Sequence, residues 1–215
     1  MHKYKAVIFD LDGTLLNTLE DLRDSVNYSL QKFGYPSRTL SEIRNFVGNG
    51  IGNLLHRALP SEVSESEFQK VFDTFKSYYA DHCNIKTRPY DGIMPLLERL
   101  KKEGYKLAIV SNKADFGVKA LNRDYFNSLI DVALGEREGF RRKPEPDTVF
   151  AALEMLDVSK SETVYIGDSD VDIKTAHNSG LDCISVDWGF RDRTFLIENG
   201  AKTIVSTPEE LIDLL

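Results

Sequence analysis

Short apolar runs separated by polar, helix-like stretches set the rhythm of this chain, but only over part of its length. Runs of strand length, rich in β-branched residues, fall at positions 7–9, 107–110, 130–134, 163–166, 183–186 and 203–205. From Tyr90 onward, apolar positions between these runs recur at helical spacing over 95–102, 147–156 and 171–178. Gly104 and Gly180 close the first and last of those helices. Strands alternating with helices predict a parallel sheet covered on both faces.

The stretch from 16 to 88 breaks this rhythm. Leu19, Leu22, Val26, Leu30 and Phe33 form one helical stripe, ended by Gly34-Tyr35-Pro36. Phe68, Val71, Phe72, Phe75 and Tyr79 form a second, which reads as core packing. Thr39 with Glu42, and Ser64 with Glu67, have capping-box spacing. With no strand candidate here, the segment reads as an all-helical insertion between the first and second strands. The expected organisation is a sheet domain of residues 1–16 and 87–215, and a helical domain of residues 17–86.

Composition narrows the partners. The net charge of -7 argues against nucleic acid, whose phosphates are bound by basic surfaces. An anionic substrate would therefore need local positive charge. Cys83 and Cys183 lack ligand-like spacing and read as small buried side chains rather than a disulfide or metal frame, which suits the cytoplasm. The basic N-terminal start is followed by an apolar run that Asp10 cuts short, so neither a secretory signal nor a membrane span is expected.

Candidate chemistry lies at the ends of the predicted strands. Asp10-Leu11-Asp12-Gly13 closes the first strand, at the carboxyl lip where open α/β sheets bind ligands. Two acids there repel each other unless a cation or a reaction needs them. A calcium loop counted from Asp10 would place Leu15 and Asp21 where Gly and Glu belong; counted from Asp168 it would place Ile173 and Ser179 there. Both fail. Asp168, Asp170 and Asp172 follow the run Val164-Tyr165-Ile166 and open a helix. An N-cap explains one or two of these acids but not three. Carboxylates without nearby His or Cys indicate magnesium rather than zinc. Ser111-Asn112-Lys113, at another strand end, offers a hydroxyl and an amide to phosphate oxygens. Taken alone, Lys143 sits in what reads as a solvated charged loop.

The order Asp-x-Asp-Gly-Thr-Leu, Ser-Asn, Lys-Pro-x-Pro, Gly-Asp-Ser-x-x-x-Asp resembles the haloacid dehalogenase-like superfamily. The resemblance implies a doubly wound, Rossmann-like parallel sheet with a helical cap inserted after the first motif. It also implies Mg2+ as cofactor and a small phosphorylated metabolite as substrate. Carried over, Asp10 matches the nucleophile that forms an aspartyl-phosphate, and Asp12 the general acid and then base. Ser111 and Lys143 match phosphate-binding positions, with Asn112 beside them. Magnesium would be held by the Asp10 carboxylate, the Asp12 main-chain carbonyl and Asp168, with Asp172 in support. The acid-base Asp12 argues against dehalogenases, which keep only the first Asp.

Within the superfamily, the loop Gly48-Asn49-Gly50 looks like that of phosphoglycolate phosphatases, as do Tyr90-Asp91-Gly92 and Trp188-Gly189-Phe190. Arg57 is the candidate partner for a substrate carboxylate. Phosphatases of pyrophosphate or sugar phosphates and phosphoglucomutase-type transferases share most of this frame. A phospho-accepting receiver module shares the acids, the hydroxyl and the lysine, but lacks the helical insertion and an Asp at position 12.

Overall fold

Every residue of β1 (Ala6–Phe9) is buried. Val7 and Phe9 enter one apolar layer while Ala6 and Ile8 enter another, as expected for a parallel strand covered on both faces. The computed structural model describes residues 3–48 and 50–215. After β1 the chain passes through the two-residue strand β2 (Leu16–Asn17) and later returns through β3 (Arg88–Pro89); these two form a small sheet of their own. They escape sequence reading because two residues carry no periodicity.

The main sheet has six strands. Beside β1 lie β4 (Lys106–Ala114) and β6 (Thr163–Gly167). β5 (Val132–Glu136) lies outside β4, and β7 (Asp182–Val186) and β8 (Ile204–Val205) continue beyond β6. The pairs run parallel. From β1 the chain adds β4 and β5 on one side, then crosses to build β6 to β8 on the other. The carboxyl ends of β1, β4 and β6 therefore meet where strand order reverses, the place where such sheets bind ligands.

Two strands differ from the sequence expectation. β4 runs through Ser111, Asn112 and Lys113, with an irregularity in its pairing to β5 between Val110 and Ala114. The apolar pattern stops at Val110, so nothing local marks the extension. β5 starts at Val132 rather than at 130. Ile130 is buried, but the Asp131 carboxylate accepts the Leu107 N–H (2.9 Å) and ends the preceding turn.

Packing divides the chain into a unit of Asn17–Arg88 and a unit made of the remaining described residues. The first contains α1 (Leu19–Lys32), α2 (Leu40–Phe46), α3 (Gly50–Ala58) and α4 (Glu65–His82). Leu22, Val26 and Leu30 of α1, and Phe68, Val71, Phe75 and Tyr79 of α4, are buried. Thr39 and Glu42 form the reciprocal capping box. At α4 only half of the box forms: Ser64 accepts the Glu67 N–H, but the Glu67 carboxylate accepts the Tyr35 hydroxyl (2.7 Å) instead. Asp21, buried in the first turn of α1, accepts the N–H groups of Ile85, Lys86 and Thr87 and the Thr87 hydroxyl. One carboxylate thus pins the outgoing segment to the start of the unit.

In the sheet unit, α5 (Ile93–Lys102), α6 (Asp115–Leu121) and α10 (Pro208–Ile212) supply buried residues to the layer that holds Val7 and Phe9. α7 (Asp147–Leu156) and α8 (Asp170–Ser179) supply the opposite layer, and α9 (Arg193–Glu198) lies between β7 and β8 in the chain. No helix among the described residues is long and apolar enough to cross a membrane.

Candidate active site

The carboxyl ends of β1 and β6 bring three carboxylates together. Oxygen atoms of Asp10, Asp168 and Asp172 all lie within 4.8 Å of one another, and all three residues are buried. Asp10 follows β1 directly, and Asp168 follows β6. Asp172 joins them from the first turn of α8, which starts two residues beyond Asp168. Asp170, between them, pairs instead with Lys174 (2.8 Å) on the outside of α8.

Glycine makes this crowding possible. Gly13 has φ +92°, and a Cβ there would overlap the Asp168 carboxylate. A Cβ at Gly189 would overlap Asp168 and the Gly13 carbonyl. Asp168 is held by the Phe190 N–H (2.7 Å) and the Thr14 hydroxyl (3.4 Å). The sequence reading valued Trp188-Gly189-Phe190 only as a family marker, yet this segment builds a wall of the site.

Lys143 enters the cluster from the loop between β5 and α7. Its ammonium lies 2.8 Å from Asp10 Oδ1 and 2.8 Å from Asp172 Oδ1, and it donates to the Tyr165 hydroxyl (3.1 Å). The solvated-loop reading of this lysine is therefore overturned: its side chain is only 4% exposed. Asp172 Oδ1 also accepts from Tyr165, and Asp172 Oδ2 accepts from the Ser169 N–H and hydroxyl. Ser169 and Asp172 thus form a true capping box, so the helix-cap explanation and the site explanation both hold for Asp172.

Electrostatics follow from burial. Desolvation pushes the Asp10 carboxyl up to about 7; Lys143 opposes this and Asp172 reinforces it. Desolvation, then repulsion from Asp172 and Asp10, lifts Asp168 well above the carboxylate range. Burial opposes the charge of Lys143, but Asp10 and Asp172 outweigh it and raise its pKa well above the usual value. One ammonium balances only one of the three buried carboxylates, so full ionisation of the trio calls for further positive charge. A hard, oxygen-bound dication fits that donor set.

The Asp12 carboxylate is not one of the trio but pairs with Lys113 (3.0 Å), and its charge adds to the rise of the Asp10 pKa. Ser111 is buried at the β4 end, and its hydroxyl accepts the Lys113 N–H (3.2 Å). The Asn112 amide holds the Lys143 main chain, accepting its N–H (2.8 Å) and donating to its carbonyl (3.0 Å). In the helical unit, Gly48 (φ +124°) and Gly50 (φ +88°) adopt backbone conformations suited to glycine. Asn49 lies outside the described residues. Arg57 is exposed and donates to the Phe46 carbonyl (2.8 Å). Tyr165 and the pairing of Lys113 with Asp12 were not anticipated; only the position of Tyr165, two residues before Gly167 on a buried strand, hinted at the first.

The profile of haloacid dehalogenase-like hydrolases matches residues 7–186. A phosphoglycolate phosphatase of Neisseria meningitidis serogroup A is 34% identical over 206 residues, covering 92% of this chain and 86% of that protein. One from Thiobacillus denitrificans is 31% identical over 191 residues, covering 86% and 84%. A crystal structure from Lactobacillus delbrueckii subsp. bulgaricus, provisionally given the phosphoglycolate phosphatase name, superposes with a TM-score of 0.96 at 42% identity, covering 99% of each chain.

Proposed function

The chain belongs to the haloacid dehalogenase-like hydrolases and is a phosphatase, and from that premise we propose that it hydrolyses 2-phosphoglycolate through an aspartyl-phosphate on Asp10. The observation that carries this reading is the buried trio Asp10, Asp168 and Asp172 with Lys143 among them. The substrate is suggested by the names of the relatives that cover most of the chain.

In the first step an Asp10 carboxylate oxygen attacks phosphorus while the ester P–O bond breaks. The Asp12 carboxyl gives its proton to the leaving oxygen. In the second step Asp12 takes a proton from water as that water attacks phosphorus, the bond to Asp10 breaks, and inorganic phosphate leaves. Lys143, beside Asp10, meets the charge on the phosphoryl oxygens, and Ser111 at the β4 end donates to them. Asp10, Asp168 and the Asp12 main-chain carbonyl would hold magnesium, with Asp172 behind them, and the ion supplies neutralisation of phosphoryl charge.

The helical unit acts as a cap in this reading, with Gly48 and Gly50 approaching the organic end of the substrate. Arg57 serves as an anion partner once it leaves the Phe46 carbonyl. Cys83 and Cys183 are half-buried, where the sequence suggested buried side chains, and they form no disulfide, which fits a cytoplasmic setting.

The test is phosphate release from 2-phosphoglycolate, pyrophosphate, glucose phosphates and p-nitrophenyl phosphate with magnesium. The expected result is the highest kcat/KM on 2-phosphoglycolate. Transfer between sugar positions without phosphate release would instead identify a mutase, and a stable phosphoprotein without turnover a signalling module.

A further inference from the structure

A lysine carries four rotatable carbons, so an ammonium fixed between two carboxylates needs its main chain fixed as well. Lys143 lies in a charged loop in which Pro144 and Pro146 restrict the backbone but give the Lys143 N–H and carbonyl no hydrogen-bonding anchor. The structure supplies it through two asparagines.

Asn112 accepts the Lys143 N–H (2.8 Å) and donates to the Lys143 carbonyl (3.0 Å). A carboxamide presents an acceptor and a donor side by side, so one side chain satisfies both main-chain groups of one residue. Asn178, in the last turn of α8, donates to the Pro144 carbonyl (2.9 Å). Proline has no N–H, so all the main-chain hydrogen-bonding groups of Lys143-Pro144 are held by these two amides. The two anchors come from different elements: Asn112 from β4, beside Ser111, and Asn178 from the helix that begins near Asp172. The loop is thereby referenced to the same framework as the carboxylates that the ammonium meets.

We propose that Asn112 and Asn178 are positioning residues that hold Lys143 in register with Asp10, and that Asn112 acts through the Lys143 main chain rather than through the substrate. This rests on the phosphatase reading for its effect on rate, since a misplacement of about 1 Å at a reacting centre costs about a hundredfold. The geometric half of the claim stands on the hydrogen bonds alone.

Two measurements test it. The first is hydrogen exchange at the Lys143 backbone amide, followed by NMR in the wild-type protein and in Asn112→Ala and Asn178→Ala. Exchange at residue 143 should accelerate at least about tenfold in Asn112→Ala, and less in Asn178→Ala, while amides of β1 and β6 keep their protection. Unchanged exchange at residue 143 in Asn112→Ala overturns the proposal. The exposed position of Asn178 makes that variant the one certain to fold.

The second is kcat/KM on p-nitrophenyl phosphate with magnesium, in both single variants and the double variant. Asn112→Ala should lose about tenfold to a hundredfold and Asn178→Ala several-fold. The double variant should lose little more than Asn112→Ala, because a loop released by one amide leaves the other little to hold. Losses that multiply would mean that Asn112 acts on the substrate independently, and would overturn the proposal. If the wild-type protein releases no p-nitrophenol, the phosphatase reading falls, and exchange at residue 143 still decides whether the two asparagines hold the loop.

Discussion

The Lys143 ammonium stands 2.8 Å from Asp172 Oδ1, and neither side chain is more than 4% exposed. Asp172 has no unpaired oxygen left: Lys143 and Tyr165 donate to one and Ser169 donates twice to the other. Asp172 therefore anchors the lysine from behind, while Asp10 meets it from the front. Lys143→Met removes the positive charge that pairs with Asp10 and Asp172. Stability of the metal-free protein at pH 7.5 should fall by about 3 kcal/mol or more, because breaking a buried pair strands its partners. Activity on p-nitrophenyl phosphate should fall at least about a thousandfold. Urea unfolding and steady-state kinetics measure the two losses.

Asp10→Asn should abolish turnover, since an amide does not attack phosphorus. The fold should remain, and the metal-free variant should be more stable than wild type near pH 8, because the substitution removes a buried carboxylate whose ionisation burial disfavours. Circular dichroism with thermal melts checks the fold. Activity above a few per cent, in protein free of deamidation, would remove Asp10 from the nucleophile's role.

Metal and protons should compete for the same carboxylates. The folded-state pKa of Asp10 is raised from 3.8 to about 7, so between those values the folded protein binds more protons than the unfolded chain. Stability without metal should therefore fall as pH rises from about 4 to 7, by up to about 4 kcal/mol from this group. Magnesium, by holding the ionised form, should flatten that slope and raise the melting temperature most at high pH. Calcium, with longer bonds and more ligands, should bind but inhibit turnover. Melts from pH 5 to 8, with EDTA or with magnesium, read the slope. Identical slopes in the two conditions would remove the metal from these carboxylates.

Asp21→Asn should destabilise the protein by about 2 kcal/mol or more. The carboxylate takes four donors from residues 85–87, and an amide replaces one acceptor oxygen with a donor facing buried N–H groups. Activity measured well below the melting temperature gives the comparison. A stability change under about 0.5 kcal/mol would show that the segment is held by other contacts.

Gly50→Val strains a backbone at φ +88° and adds bulk to the loop assigned to substrate recognition. kcat/KM on 2-phosphoglycolate should fall far more than on p-nitrophenyl phosphate. Equal losses, or none, would leave the loop as a connection between α2 and α3.

Local pattern was enough to mark the strands of the main sheet, the helical insertion and the chemical groups at the strand ends. Hydrophobic period fixes β1 and β6 within a residue, so Asp10 and Asp168 had to stand at strand ends, and the helical pattern that follows puts Asp172 in the first turn of the next helix. The stripes of α1 and α4 likewise marked the helical unit. Tertiary structure decided which groups meet. Lys143 stood out only through its place in the Lys-Pro-x-Pro motif, its own loop reading as solvated, and nothing local showed that the Asn112 amide would face the Lys143 main chain. Nothing local showed that the Asp12 carboxylate would pair with Lys113, or that Asp21 would grip a segment more than sixty residues away. The physical reason is range. Periodicity and caps are set by neighbours within one or two turns of chain, whereas the partner of a polar side chain is chosen by desolvation among segments that only the folded core brings within 3 Å.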